Sequence, residues 1–169
     1  IGGISVSGAG TINLRGIGVQ GSPTAYTISN NIVGSPTVAN SLSNATNSTT
    51  RGIYVATTGG TTSIVNNIIA NLAATGTSTG NPIAGIWSQG AGGASITGNT
   101  ARNLSSASTS TAIGQNAAVI GIAHYGATAA GQILSQNTIH TLSNSAAIAA
   151  VKITGLYYAG PATGANLVE

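Results

Sequence analysis

Residues 52–72 read Gly-Ile-Tyr-Val-Ala-Thr-Thr-Gly-Gly-Thr-Thr-Ser-Ile-Val-Asn-Asn-Ile-Ile-Ala-Asn-Leu, and the fold is decided by how this stretch is read. Gly52-Ile53-Tyr54-Val55 alternates apolar and outward residues with period two, which predicts a short strand. Gly59-Gly60 is a turn signal, and a second strand runs through Ile64. Asn66-Asn67 marks a corner, followed by a third apolar piece ending at Leu72. Three short strands and two bends thus fill one unit.

The unit recurs along the chain. Gly-Ile or Gly-Leu pairs stand at Gly16-Ile17, Gly52-Ile53, Gly85-Ile86, Gly121-Ile122 and Gly155-Leu156, at intervals of 36, 33, 36 and 34 residues. A second mark follows in phase: Ile28…Asn31, Ile64…Asn67, Ile96…Asn99 and Leu134…Asn137. A third sits at Leu72, Leu104 and Leu142, where the first unit instead has Pro36. Helical repeats share this period. The units, however, are rich in Gly, Thr, Ser, Asn, Ile and Val and nearly lack the helix formers Glu, Lys, Arg and Leu. The prediction is an all-β fold, a parallel β-solenoid of about four to five coils of 33–36 residues with three short strands each.

Each slot then has a physical task. Ile17, Ile53, Ile86, Ile122 and Leu156 are expected to form one inward aliphatic column, with rungs about 4.8 Å apart. Ile28, Ile64, Ile96 and Leu134 are expected to form a second. One coil cannot bury its apolar face alone, so neighbours must stack. Asn31, Asn67, Asn99 and Asn137 are expected to form an amide ladder at a corner, where Asn tolerates the left-handed backbone of a bend.

The pattern Gly-Ile-x-Val, turn, Ile-x-Asn-Asn-x-Ile-x-Asn-Leu resembles the right-handed parallel β-helix repeats of large bacterial secreted and cell-surface, adhesin-like proteins. The resemblance covers about residues 16–158. It implies a right-handed coil and an extracellular setting. It is poor in information about activity, because the same fold carries polysaccharide lyases, adhesins and passive stalks. The expected organisation is a single solenoid domain over 1–169. Residues 1–15 form an N-terminal strand pair, cap or pairing segment, 16–158 the repeats, and 159–169 a partial terminal coil. Within 3–14, two strands are expected around Ser-Gly-Ala-Gly, and Gly3-Ile4-Ser5-Val6 echoes the repeat.

Composition narrows the chemistry. Charged residues are 3% of the chain, namely Arg15, Arg51, Arg102, Lys152 and Glu169. Hydrophobic residues are 41%, and the mean hydropathy is +0.30, so disorder is a poor reading. No apolar run is long enough to cross a membrane, so no membrane insertion is expected. The net charge of +3 comes from scattered cations, which argues against nucleic-acid binding. There is no Cys, so neither a disulfide nor a Cys-His pair can form. Glu169 is the only side-chain carboxylate. Paired carboxylates for glycoside hydrolysis, an acidic calcium cluster and a Ser-His-Asp triad all lack their acids. The expectation is no catalytic residue, no metal and no cofactor, and a chain that is not an enzyme. So little charge also predicts a melting temperature nearly flat between about pH 4 and 9.

His124 and His140 occupy different slots, so a shared metal site is not expected, and both read as surface or corner residues. The third slot of Gly-Ile-x-x points outward and holds Tyr54 and Trp87 on successive coils, an exposed pair that could stack on sugar rings or pack under a loop. Arg15 and Arg51 share the slot just before the Gly, one repeated surface position on two coils, and are too few for an anion site. Thr pairs do not recur at one slot, which disfavours ice binding, and the glycosylation sequons at Asn44, Asn47 and Asn103 are what such a composition produces by chance. The segments Ser35–Thr50, Ala73–Pro82 and Ser105–Ala118 vary in length and are either spacer loops or a binding face. Neither end carries the charges or helix of a solenoid cap. The expected function is a structural extracellular subunit or segment of a bacterial surface filament, stalk or adhesin, self-associating head-to-tail. The alternative is a carbohydrate-binding surface module whose partner is a polysaccharide.

Overall fold

The computed structural model describes residues 1–8, 10–147 and 150–169. It is a parallel β-solenoid of about four turns, built from three parallel sheets. The Gly-Ile sheet stacks Leu14–Gly21, Thr50–Thr57, Ile83–Gln89, Val119–Tyr125 and Ile153–Ala159. The Ile-Asn sheet stacks Ala25–Ser29, Thr61–Val65, Ala94–Thr97, Ile133–Ser135 and Leu167–Val168. The Leu sheet stacks Ile4–Val6, Leu42–Asn44, Ile68–Ala74, Thr100–Ser106 and Thr138–Asn144, with Ile32–Val33 also paired to Ile68–Ala74. Among the described residues the one short helical element is a 3₁₀ turn at Gly114–Asn116.

The registers follow the repeat. Ile17 pairs with Ile53, Ile53 with Ile86, Ile86 with Ile122, and Ile122 with Leu156. Ile28, Ile64, Ile96 and Leu134 pair in the same way. From the third sheet, Leu42, Leu72, Leu104 and Leu142 complete the interior. In the middle coils these side chains are dry, and Ile53, Ile64, Ile86, Ile96 and Ile122 have no exposed surface. Aliphatic residues stacked rung on rung at van der Waals distance give the fold most of its stability. Pro36 does not break the third column. Residues 34–41 loop out, and Leu42 returns to the slot opposite Leu72.

Glycine in the Gly-Ile pair is required by packing. A Cβ on Gly16, Gly52, Gly85 or Gly121 would lie 2.6 Å from the carbonyl oxygen of the glycine one coil on. It would also strike Val33, Ile69, Ala101 or Ile139 from the Leu sheet. These four corner side chains each sit against a glycine, which lets the first and third sheets close on one another.

Two expectations about the backbone are corrected. The left-handed residues at the corner are Asn30, Asn66, Gly98 and Gln136, each one before the ladder Asn. The ladder residues themselves are left free to turn their amides inward. Ile4–Val6 is not a miniature of the repeat either. It pairs with Leu42–Asn44 in the Leu sheet, and among the described residues no strand follows it before Leu14. Ala9, within the expected Ser-Gly-Ala-Gly turn, lies outside the described residues, as do Ile148 and Ala149 in the repeat region.

Candidate functional site

The asparagine corner is the most regular polar feature. Asn31 Nδ2 donates to Asn67 Oδ1 at 3.0 Å, Asn67 Nδ2 to Asn99 Oδ1 at 3.0 Å, and Asn99 Nδ2 to Asn137 Oδ1 at 3.1 Å. The backbone N–H of each donor Asn reaches the same Oδ1, at 3.0 Å in all three steps. Each Nδ2 also donates to backbone carbonyls, as Asn67 does to Ile28 and Val65. Asn67 and Asn99 are fully buried with these donors and acceptors matched. A buried amide is tolerated only under that condition. A second, shorter ladder joins Asn103 Nδ2 to Asn71 Oδ1 at 3.1 Å. Asn71 and Asn103 have left-handed backbones, at φ 58° and 53° respectively, where the Leu sheet skips a register pair. Sequence reading left this pair unassigned, although the motif Ile-x-Asn-Leu contains it.

His124 is not a surface residue. The alternation that turns Ile122 inward turns the fourth slot inward too, in line with Val19, Val55 and Ser88. Its side chain is buried, with Nδ1 3.2 Å from Ser88 Oγ and Nε2 2.9 Å from Gln132 Oε1. Gln132 Nε2 is held by the carbonyls of Gly92 and Ala129, so its Oε1 faces the histidine as an acceptor. That fixes the neutral ring with its proton on Nε2 and leaves Nδ1 to accept from Ser88. Burial lowers the pKa of His124, opposed in part by Gln132 and Ser88. His140 lies exposed on the Leu sheet in register with Arg102, beside Thr141. Among the described residues no three His, Cys, Asp or Glu side chains gather as a metal site.

Tyr54 and Trp87 point outward, but they are covered. Their exposures are 8% and 7%, so of the two readings the sequence offered, an open aromatic platform or packing under a loop, the structure shows the second. The rings stack at 5.1 Å, and Tyr125 meets Trp87 edge-on at 4.9 Å. The cover has two sources. The segment before Val119 folds back over the sheet, and the Gln115 carbonyl accepts from Trp87 Nε1 at 3.3 Å. Ala117 and Ile120 close the same cluster. The arginines provide the rest. The Arg15 guanidinium lies 3.8 Å above the Tyr54 ring centroid. Arg51 lies 3.8 Å above Trp87 and 4.8 Å from Tyr54. Cations and rings therefore alternate along the outside of the Gly-Ile sheet. Burial lowers the Arg51 pKa, and nearby Arg15 acts in the same direction, against the Tyr54 and Tyr125 hydroxyls. Burial also raises the Tyr125 hydroxyl to about 12, with Arg51 pulling the other way.

On the Ile-Asn sheet a shallow open groove of about 340 Å³ runs over Ala25, Thr27, Thr61, Ser63, Ser95 and Ile133. Its outward side chains are neutral, and apart from Ile133 they are small. Glu169 lies exposed at the far end.

The fold and its polar ladders define a repeat protein of the parallel β-solenoid class. Comparison with family models, with curated proteins and with solved structures gave no match, so the assignment stands on this chain's own strand registers.

Proposed function

We propose that this chain is a structural building block, a β-solenoid subunit or segment of an extracellular bacterial surface filament, stalk or adhesin that associates head-to-tail. The reading rests on one observation, the stepped form of the two end faces. At one face Ile4–Val6 stands a level beyond Leu14–Gly21 and Ala25–Ser29. At the other, Ile153–Ala159 and Leu167–Val168 stand a level beyond Thr138–Asn144. The missing strand at one end is the extra strand at the other, so a second copy would continue all three sheets. The outermost strands have unpaired backbone edges and carry exposed Ile4, Ile153, Leu167 and Val168. Edges of this kind are normally blunted by charge, and among the described residues they carry little: Arg15 at one face, Lys152 and Glu169 at the other. A surface of Ser, Thr and Asn with 3% charged residues favours an extracellular setting.

The test exploits the absence of native cysteine. Thr27 and Leu167 share one outward column, through Ser63, Ser95 and Ile133. In the stacked arrangement they become neighbours at about 4.8 Å, within disulfide reach. The double variant Thr27→Cys with Leu167→Cys is expected to give an oxidised ladder of multimers, and each single variant dimers at most. Electron microscopy is expected to show fibres with an axial repeat of roughly 24 Å, five rungs per copy. Monodisperse single particles at every concentration would overturn the reading.

A further inference from the structure

The outer face of the Gly-Ile sheet holds two cations with no anion. Arg15 and Arg51 pair in register on adjacent rungs. The guanidinium carbon of each lies 3.8 Å from an aromatic ring centroid, a cation–π contact that restrains the head group. Arg15 Nη1 donates to Gln20 Oε1 at 2.8 Å, while Arg15 Nε is buried with no partner. The chain's single side-chain carboxylate is Glu169, which follows the last strand. Partial burial of two like charges a rung apart is unfavourable unless an acceptor compensates them. Counting charges gives two cations and no patch. The structure adds what a count omits, two guanidinium groups held in register over Tyr54 and Trp87, with neutral partners only and no carboxylate.

We propose that Arg15 and Arg51 form a seat for an oxyanion, the carboxylate or sulfate of an acidic glycan. Arginine forks match such groups two bonds at a time, and clamping by aromatic rings lowers the entropy lost on binding. A glycan is preferred to nucleic acid because the rings are covered and cannot take bases, and because only two cations share the column. The sugar ring itself contributes little, since the aromatic faces are occupied by the arginines. The seat lies on the outer face of the sheet, with Arg15 on its terminal rung and Arg51 one rung in.

Isothermal titration calorimetry at low ionic strength tests it, with a short oligogalacturonate, its methyl ester and inorganic sulfate as probes. The acid oligomer is expected to bind, the ester not to, and sulfate to compete. Arg15→Gln and Arg51→Gln are each expected to weaken binding at least tenfold, and Arg102→Gln, on another sheet, less than twofold. Should the Gln variants lose their fold, Arg15→Lys and Arg51→Lys keep the charge without the planar fork and are expected to lose several-fold. Equal weakening by Arg102→Gln would show diffuse attraction and overturn the proposal. Equal binding of the ester, or binding of none of the probes, would also overturn it. Binding of sulfate without the oligomer would assign the seat to a free oxyanion and overturn the glycan.

Discussion

The middle coils and the end coils are made of the same slots, yet the same side chain behaves differently in each. Ile53 and Ile86 have no exposed surface, whereas Ile17 and Leu156 are only half-buried at the two ends of their column. Gly85 is walled in by the Gly121 carbonyl and Ala101, while Gly155 has open space around it. Asn67 both gives to Asn99 and receives from Asn31, and Asn31 only gives. In a quasi-one-dimensional stack a residue's contribution is set by whether it has a neighbour on each side. Sequence identity at a slot fixes what a residue can do, and position in the stack fixes how much of it is realised.

The sharpest break of this comparison is at glycine. Gly85→Ala forces a methyl group against backbone and is expected to cost about 3 kcal/mol in chemical denaturation. Gly155→Ala is expected to stay within about 0.5 kcal/mol for the isolated chain. If copies stack as proposed, Gly155→Ala will nevertheless hinder fibre growth, because Gly16 of the next copy would meet the added methyl. Equal destabilisation by both substitutions would dissolve the distinction between middle and end. Next in size is the ladder. Asn67→Ala strands buried donors and acceptors on both sides and is expected to cost about 2 kcal/mol, against under about 1 kcal/mol for Asn31→Ala.

The smallest effect concerns acid. His124 is buried neutral with its folded pKa held below the ordinary value of 6.5. The unfolded chain therefore takes up this proton first as pH falls. Stability from this group is complete above the unfolded value of about 6.5 and declines as pH drops from there toward the folded value. The expectation of a flat profile is thus revised to one with a shallow acid limb, no steeper than a single proton. His124→Val, the residue of Val19 and Val55 in the same column, is expected to flatten that limb in a pH series of melting curves. A limb unchanged by the substitution would place its origin elsewhere.

Much of this architecture was legible because a solenoid writes its contacts into its period. Ile17, Ile53 and Ile86 could be aligned from sequence since the partner of each is the same slot one unit away. His124 was legible as well, since two-residue alternation turns the fourth slot inward, and only the bias toward exposed histidine concealed it. The left-handed residue was assigned one place late because Asn66-Asn67 offers two candidates and Gly98 alone marks the true position. The burial of Tyr54 and Trp87 was legible only as one of two alternatives. Their cover comes from a segment of irregular length ending at Ala117 and from arginines of the preceding coil, and neither follows from the slot the rings occupy. Val6 and Leu42 show the converse hazard. A two-residue echo at Gly3-Ile4 suggested the first sheet, while hydrogen bonding put the strand in the third.

The glycine column also has a mechanical meaning. Val33, Ile69, Ala101 and Ile139 each fit a gap that exists only because the facing residue lacks a side chain. They act as keys in a slot cut along the length of the stack. Rotating one coil on the next would lift each key out of its place and drive it into backbone. The column therefore sets the torsional stiffness of the rod, and the absence of a side chain at four positions resists twisting along the whole length.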